Sequence, residues 1–167
     1  MMGLFRHNKL QYYSNYKDGK EYPQVRISFR DKKIVSDLID KGCVPNKTFK
    51  ISFPYGKMTP DLYSHFIRGV MDGDGNLGWN NITNKINFKV GFAGTKSLLD
   101  GIKHEIGKDE LKLDDRGNCF YLGIDGNHQL IPILNYIYKD SYDEIELTRK
   151  RERYNEFLEF MENKYGN

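Results

Sequence analysis

The chain has 167 residues, with 26 Lys and Arg against 23 Asp and Glu, a net charge of +3, and 14% aromatic residues. This length suits one compact domain or one domain with part of a second, with a core that needs no disulfides. No segment has the roughly 20 apolar residues of a membrane span, and the N-terminus lacks a signal-like apolar run. We therefore expect a protein that is not secreted and not in a membrane. Its two cysteines, Cys43 and Cys119, match no metal-ligand spacing, which predicts a reducing cytoplasm.

The first third of the chain predicts two strands followed by a helix. The polar segment Asn15–Gly19 is typical of a hairpin turn, and Gln24–Arg30 alternates apolar and polar side chains as a half-buried strand does. Asp31 is a plausible N-cap for a helix over Lys32–Lys41, which Gly42 would end.

The rest of the chain alternates helices with strands that form hairpins. In order we predict a helix from Thr59 or Pro60 to about Met71, strands over Asn76–Asn80 and Lys85–Phe92, a helix from Thr95 to Gly107, a strand over Phe120–Ile124, and helices over His128–Tyr138 and Glu146–Lys164. We expect Pro132 in the first turn of its helix, and Leu158 on the packed side of the last helix. This order predicts an α+β fold rather than a parallel α/β fold.

The segment Asp72-Gly73-Asp74-Gly75 ends the helix that begins near Pro60. An ordinary helix C-cap would explain the glycines, but acids are disfavoured there because the carbonyl end of a helix is already negative. A cation would offset that repulsion. Hard cations such as Mg²⁺ take carboxylate and carbonyl oxygens, so Asp74 and the carbonyl of Gly73 could supply half of a metal site.

The ten residues Phe66–Gly75, FIRGVMDGDG, resemble the motif of the LAGLIDADG homing endonucleases. Gly69 and Gly73 match the small positions of the motif, Val70-Met71 its apolar pair, and Asp74 its metal-binding acid. The order of strands and helices around the motif is also similar, so the resemblance covers most of the chain.

The resemblance implies an antiparallel, saddle-shaped sheet with helices packed on one face. Two motif helices would pack side by side through Ile67, Gly69, Val70 and Gly73. Each would deliver one acid, here Asp74, to Mg²⁺ ions, with Mn²⁺ as a substitute. The implied activity is site-specific hydrolysis of phosphodiester bonds in double-stranded DNA, in which the metal activates water and stabilises the leaving oxygen.

Polar strand faces would lie in the DNA major groove, where basic and amide side chains contact bases and phosphates. The candidate DNA-binding residues are Arg26, Arg30, Asn76, Lys85, Asn87, Lys89, Lys112 and Tyr121. Solvation of an antiparallel sheet's outer face is the alternative interpretation. Family members also carry a basic residue near the metals, for which Lys96 is our first candidate and Lys47 our second.

The sequence departs from the family pattern in having a single motif. Residues 1–58 resemble a partial first endonuclease-like repeat without its motif helix, and residues 59–167 resemble a complete domain with a C-terminal helix. The chain could therefore form a homodimer through the motif helix, complement a separately encoded first half, or be a truncated, inactive remnant. A DNA- or RNA-binding relative that does not cut, either maturase-like or a regulator, is the alternative function, although retention of Asp74 favours the endonuclease.

Overall fold

The computed structural model describes residues 10–28, 30–45, 49–82, 85–138, 140–141 and 145–166. The chain divides into two compact units, Met1–Asp37 and Leu38–Asn167. Ile51, Phe53 and Met58 pack into the core of the second unit. The expected division into residues 1–58 and 59–167 stays a prediction. Whether the two segments are related repeats stays a prediction.

The first unit contains an antiparallel hairpin of β1 (Gln11–Lys17) and β2 (Lys20–Arg26). Its two turn residues, Asp18 and Gly19, both have positive φ, of 51° and 73°, which matches the twist that two-residue hairpin turns require. The predicted turn is thus confirmed.

The predicted strand over residues 24–30 was wrong in its bounds. The tight turn fixes the register, so that β1 begins at Gln11 opposite Arg26, and β2 ends there. Val25 and Ile27, expected on a buried face, are 60% and 41% exposed. The apolar alternation is real, but the paired strand lies earlier in the chain than the alternation indicated.

Helix α1 (Lys32–Asp40) follows the hairpin and begins as predicted. The Asp31 carboxylate accepts hydrogen bonds from the backbone N–H groups of Lys33 and Ile34 at 2.8 and 3.0 Å, which makes it the N-cap. Gly42 ends the helix with a φ of 97°, and the Cys43 N–H donates to the Leu38 carbonyl at 2.8 Å.

A four-stranded antiparallel sheet forms the centre of the second unit, in the order β3–β4–β6–β5. Its strands are β3 (Asn76–Ile82), β4 (Lys85–Gly94), β5 (Asp114–Asp115) and β6 (Phe120–Asp125). Alternate residues of β4 and β6 are buried on one face, as predicted; they are Phe88, Val90, Phe92, Leu122 and Ile124. The predicted α+β class with an antiparallel sheet is confirmed, whereas the saddle shape stays a prediction.

Four helices cover that buried face and share one hydrophobic core with it. They are α2 (Tyr63–Asp74), preceded by a 3₁₀ turn over Pro60–Leu62, α3 (Lys96–Glu105), α4 (Asn127–Tyr138) and α5 (Thr148–Tyr165). Thr95 caps α3 through a hydrogen bond from the Leu98 N–H at 3.1 Å. Within the described residues, no helix combines the length and apolar character that crossing a bilayer requires.

Two details of the helices differ from the sequence-based expectations. Helix α4 begins at Asn127, so Pro132 lies in its second turn rather than its first. The buried residues of α5 include Tyr154, Phe157 and Met161, and this spacing turns Leu158 towards solvent with 38% exposure.

Glu146 and Arg151 form an ion pair at the start of α5. Arg151 donates from Nε and Nη2 to the two carboxylate oxygens at 2.6 and 2.7 Å, and the Glu146 side chain is 3% exposed. Burial by itself would raise the pKa of Glu146. Hydrogen bonds from Arg151 and Ser141, together with the positive charges of Arg151 and Arg68, outweigh it and hold that pKa below its ordinary value of 4.5.

We expect Glu146→Gln to lower the free energy of unfolding near neutral pH by about 1–3 kcal/mol, because it removes a charge-assisted pair. A depressed folded-state pKa gives stability that is present above the unfolded value of 4.5 and is lost as the pH falls through the folded value. Urea titrations should therefore show the difference shrinking in acid. The control, Glu156→Gln, changes an exposed pair and should cost less than about 1 kcal/mol. A pH-independent difference would contradict this account.

Candidate functional site

Helix α2 has one face in the core and one open face. Tyr63, Ile67 and Met71 are buried in the chain's own core. The residues at the spacing of the opposite face line a groove of about 740 Å³; they are Phe66, Gly69, Val70 and Gly73. The expectation that Ile67 belongs to the motif-helix interface was therefore wrong, because Ile67 has no exposed surface and points away from the groove.

Asp74 is the last residue of α2, and it lines the same groove as Gly73. Both residues are exposed. The helix stops because Gly75 is extended and folds back on the last turn, where its N–H donates to the Met71 carbonyl at 3.0 Å. A Cβ on Gly75 would lie 2.6 Å from the Met71 Cα, so only glycine fits this approach. β3 begins directly afterwards, which fixes Asp74 at the junction of helix and strand.

A buried lysine of α5 holds the C-terminal end of α2. Lys150 is 3% exposed, and its Nζ donates to the carbonyls of Met71, of Asp72 at 3.2 Å and of Gly75 at 2.7 Å. These carbonyls lie at the negative end of the helix dipole. An ammonium group here offsets the repulsion between that end and the carboxylates of Asp72 and Asp74. A side chain of the protein therefore supplies positive charge at the end of α2, and the metal ion expected there stays a prediction.

Asp72 is turned into the protein rather than towards the groove. Its Oδ2 accepts from the Leu147 N–H at 3.0 Å, and its Oδ1 is buried with no partner among the described residues. Asp72 and Lys150 thus join the end of α2 to the start of α5 from both sides. Asp74 is the acid that remains available to a ligand.

Lys150 was missed by the sequence analysis, although a signal was present. It lies at helical spacing from Tyr154, Phe157 and Met161, on the buried stripe of α5, where a charged residue requires a partner. Burial lowers the pKa of Lys150 and Arg149 lowers it further, while the carboxylates of Asp72 and Asp74 act in the opposite direction. The ammonium group is therefore electrostatically coupled to both acids of the motif.

The first predicted basic residue, Lys96, does not line the groove along α2. Lys96 pairs with Asp100 at 2.6 Å on α3, and this hydrogen bond lowers the pKa of the Asp100 carboxyl. Lys96 lines another depression, next to Phe53, Tyr55 and His104, while Asp74 lines the groove along α2. Lys47 lies outside the described residues. Catalytic roles for these two lysines stay predictions.

The oxygens of Asp74 and of the Gly73 carbonyl suit a hard cation, but they supply only part of a coordination shell. Among the described residues, no three His, Cys, Asp or Glu side chains come together as a metal cluster. A Mg²⁺ ion at Asp74 would need further oxygens from another chain, from a nucleic-acid phosphate or from water. The oxygens that one chain offers therefore match half of the predicted Mg²⁺ site.

The open face of the four-stranded sheet holds five of the eight predicted DNA-binding residues. Strand register places them opposite the core; they are Asn76, Lys85, Asn87, Lys89 and Tyr121. Lys112 is exposed just before β5 rather than within a strand. Asp125 lies opposite Lys89, and Asp114 lies opposite Tyr121, so this face carries charges of both signs.

The hairpin of the first unit has two chemically different faces. The register places eight polar, basic or aromatic residues on one face, with no acid among them; they are Gln11, Tyr13, Asn15, Lys17, Lys20, Tyr22, Gln24 and Arg26. The other face carries Tyr12, Ser14, Tyr16, Glu21, Pro23 and Val25. Arg26, a predicted DNA-binding residue, ends β2 and lies 5.1 Å from the Tyr13 ring centroid. Arg30 is exposed in the segment before α1.

Comparison with known proteins finds similar chains among the solved structures. No family model and no curated protein matches this sequence. The chain is similar to the crystal structure of the LAGLIDADG meganuclease I-AabMI bound to uncleaved DNA, with 16% sequence identity and a TM-score of 0.47. The similarity covers 60% of this chain and 38% of that chain, so this chain spans less than half of the meganuclease's length.

We expect Lys150→Met to lower the free energy of unfolding by about 1–3 kcal/mol, because it leaves buried carbonyls of α2 without their donor. Urea unfolding would measure the loss. Arg149→Met, at the exposed neighbour, is the control and should change stability by less than about 0.5 kcal/mol. Equal effects of the two substitutions would show that Lys150 does not hold the helix end.

Proposed function

We propose that this chain is one half of a site-specific endonuclease that hydrolyses phosphodiester bonds of double-stranded DNA with Mg²⁺, or with Mn²⁺ as a substitute. The observation that carries the proposal is the placement of Asp74. It is an exposed acid at the end of a groove lined by the open face of its own helix, in a motif that resembles that of the homing endonucleases.

Asp74 and the carbonyl of Gly73 would hold the metal, which when bound supplies Lewis-acid activation of water and of the leaving oxygen. Lys150 would be a positioning residue in this site. It fixes the carbonyls of Met71, Asp72 and Gly75, and with them the backbone on both sides of Asp74. The acid is thereby held in place before DNA binds, which reduces the cost of ordering it in the complex.

The second half of the site would come from the α2 helix of a second copy, packed in the groove. Gly69 and Gly73 support this interpretation, because a Cβ on either residue would meet no atom of the described residues within 4 Å. Each glycine within a helix costs about 0.5–1 kcal/mol of stability relative to alanine, and no contact among the described residues requires glycine at these two positions. Close packing of another helix backbone against α2 would require it. A twofold axis along the groove would bring a second Asp74 beside the first.

The polar face of the hairpin and the open face of the sheet would contact DNA. A two-stranded antiparallel ribbon fits the major groove, and amide, Arg and Lys side chains pair with base edges and phosphates. The hairpin face carries three cations, Lys17, Lys20 and Arg26, without an acid. It would therefore supply a larger share of the phosphate contacts than the sheet, whose cations lie among acids.

A DNA- or RNA-binding protein that does not cut is the second candidate. One observation favours it: Lys150 already offsets the charge at the end of α2, so the motif can be stable without a metal. Retention of Asp74 at the groove favours cleavage instead, since a protein that only binds DNA has no need of an exposed acid facing its polyanionic ligand.

We expect Asp74→Asn to abolish Mg²⁺-dependent cleavage while duplex binding persists, because the amide loses the charge that binds the metal. Nicking and double-strand cutting would be scored on a plasmid library with Mg²⁺ and Mn²⁺. Asp61→Asn, an exposed acid just before the other end of α2, is the control and should remain active. If the wild-type protein cuts nothing under these conditions, the enzyme proposal fails and the binding protein remains.

The variants Gly69→Ala and Gly73→Ala should each stabilise the folded monomer and prevent its self-association. Each adds helix propensity in open space, so we expect each monomer to gain up to about 1 kcal/mol of stability. The added methyl groups would block helix–helix approach and abolish both self-association and cleavage. Thermal unfolding and sedimentation measure the two effects separately. Unchanged self-association would exclude this face as the interface, and a monomeric wild type that cuts only with another chain would indicate a separately encoded half.

A further inference from the structure

The turn between β5 and β6 fixes the backbone of Arg116. Its N–H donates to the Cys119 carbonyl at 2.9 Å, and its carbonyl accepts from the Asn118 N–H at 3.0 Å. Gly117 has a φ of 77°, and its N–H donates to the Asp115 carboxylate at 2.8 Å. Both backbone polar groups of Arg116 are therefore hydrogen-bonded within the turn, which fixes the position of its Cα and the direction in which the side chain leaves the backbone.

The ring of Tyr121 forms a platform for this arginine on the open face of the sheet. A Cβ on Gly91 would overlap the Tyr121 hydroxyl and lie 2.9 Å from Cε2, and a Cβ on Gly123 would lie 3.2 Å from Cε1. The ring thus lies across two glycines, with no room for larger residues beneath it. The guanidinium carbon of Arg116 lies 3.8 Å from the ring centroid, in stacking contact.

The edge of the guanidinium group is free to bind a ligand. Within the described part of the chain, its N–H groups take part in no salt bridge or side-chain hydrogen bond. A stacked guanidinium keeps its donors in one plane, which suits a partner that offers two acceptors side by side. In the DNA major groove, the O6 and N7 atoms of guanine form such a pair.

The surroundings of Arg116 favour a base over a phosphate as its partner. Asp114 lies opposite Tyr121 on the same face, and Asp125 lies further along β6. Carboxylates repel the negatively charged phosphates of DNA, whereas their electrostatic repulsion of an uncharged base edge is weaker. The hairpin face, which has cations and no acid, has the opposite character.

We infer that Arg116, held by Tyr121 and the glycines beneath it, recognises a guanine in the major groove of the bound duplex. The inference rests on the proposed DNA contact by the open face and names one feature of the target. Arg116 was absent from the residues that the sequence suggested for DNA binding. Tyr121, which was among them, would act by orienting Arg116 rather than by contacting bases itself.

The test is selection of duplexes with a randomised central segment, using the Asp74→Asn chain so that bound DNA is not cut. We expect one position to select guanine strongly. Arg116→Lys keeps the positive charge but loses the planar pair of N–H donors. The preference for guanine at that position should therefore fall by about 5- to 150-fold, with little change in the salt dependence of binding. Preference that survives Arg116→Lys would overturn the inference.

Gly91→Ala tests the platform without touching the charge. Its methyl group would displace the Tyr121 ring, so the same guanine preference should fall while Arg116 remains. Gly78→Ala is the matched control, because it lies on the same open face, opposite Lys89, and an added Cβ meets only the Asn76 Oδ1 at 3.8 Å. The preference should survive Gly78→Ala.

The outcomes separate this inference from the proposed function. If no duplex is retained at any sequence, the proposed function fails. If duplexes are retained but Arg116→Lys and Gly91→Ala leave the selected sequence unchanged, only the role of Arg116 is lost. If Arg116→Ala lowers affinity equally for all sequences and reduces the salt slope, Arg116 contacts a phosphate and the inference is overturned.

Discussion

The hydrogen bonds from Lys150 to the end of α2 are the interaction on which the rest of the site depends. They place a buried ammonium group against carbonyls that would otherwise carry the negative end of the helix dipole towards two acids. Because Lys150 belongs to α5, the same bonds tie the last helix to the motif helix. Gly75 then turns the chain straight into β3, so the position of Asp74 is set by the helix, the strand and the lysine together.

This arrangement leaves one face of α2 uncovered by the described residues of the chain. The buried face is filled by residues such as Ile67 and Met71, while the groove on the other side is lined by two glycines that the chain's own packing does not require. A glycine at an open position of a helix lowers stability relative to alanine, and close approach of another backbone is one arrangement that requires it. Under the proposed function, a second helix that carries its own acid would fill the groove, use the close approach that the glycines allow and complete the metal donor set.

The sequence predicted those strands and helix ends that depend on neighbouring residues, through apolar alternation and helix caps. Apolar alternation predicted β4 and β6, and the caps at Asp31 and Thr95 predicted where α1 and α3 begin. The strand predicted over residues 24–30 was displaced because the tight turn at Asp18 and Gly19 sets the register, and alternation alone carries no register.

The site was predicted only in part, because its remaining contacts join distant segments. Asp74 was found from the motif, but Ile67 was misplaced, since the motif does not say which apolar positions face the chain's own core. Lys150 meets α2 across more than seventy residues of sequence, and a lysine on an apolar stripe shows that a partner exists without naming it. The stack of Arg116 on Tyr121 depends on strand pairing that brings Gly91 beneath the ring.

The central claim is that one chain holds half of a cleavage site completed by a second copy. Mixing wild-type and Asp74→Asn chains in varying proportion, and measuring double-strand cutting of a plasmid that carries a selected site, tests it most directly. Double-strand cutting should fall as the square of the wild-type fraction, with nicked plasmid from mixed pairs as the main product at intermediate ratios. A fall in direct proportion to the wild-type fraction would show that each chain cuts on its own and would contradict the account.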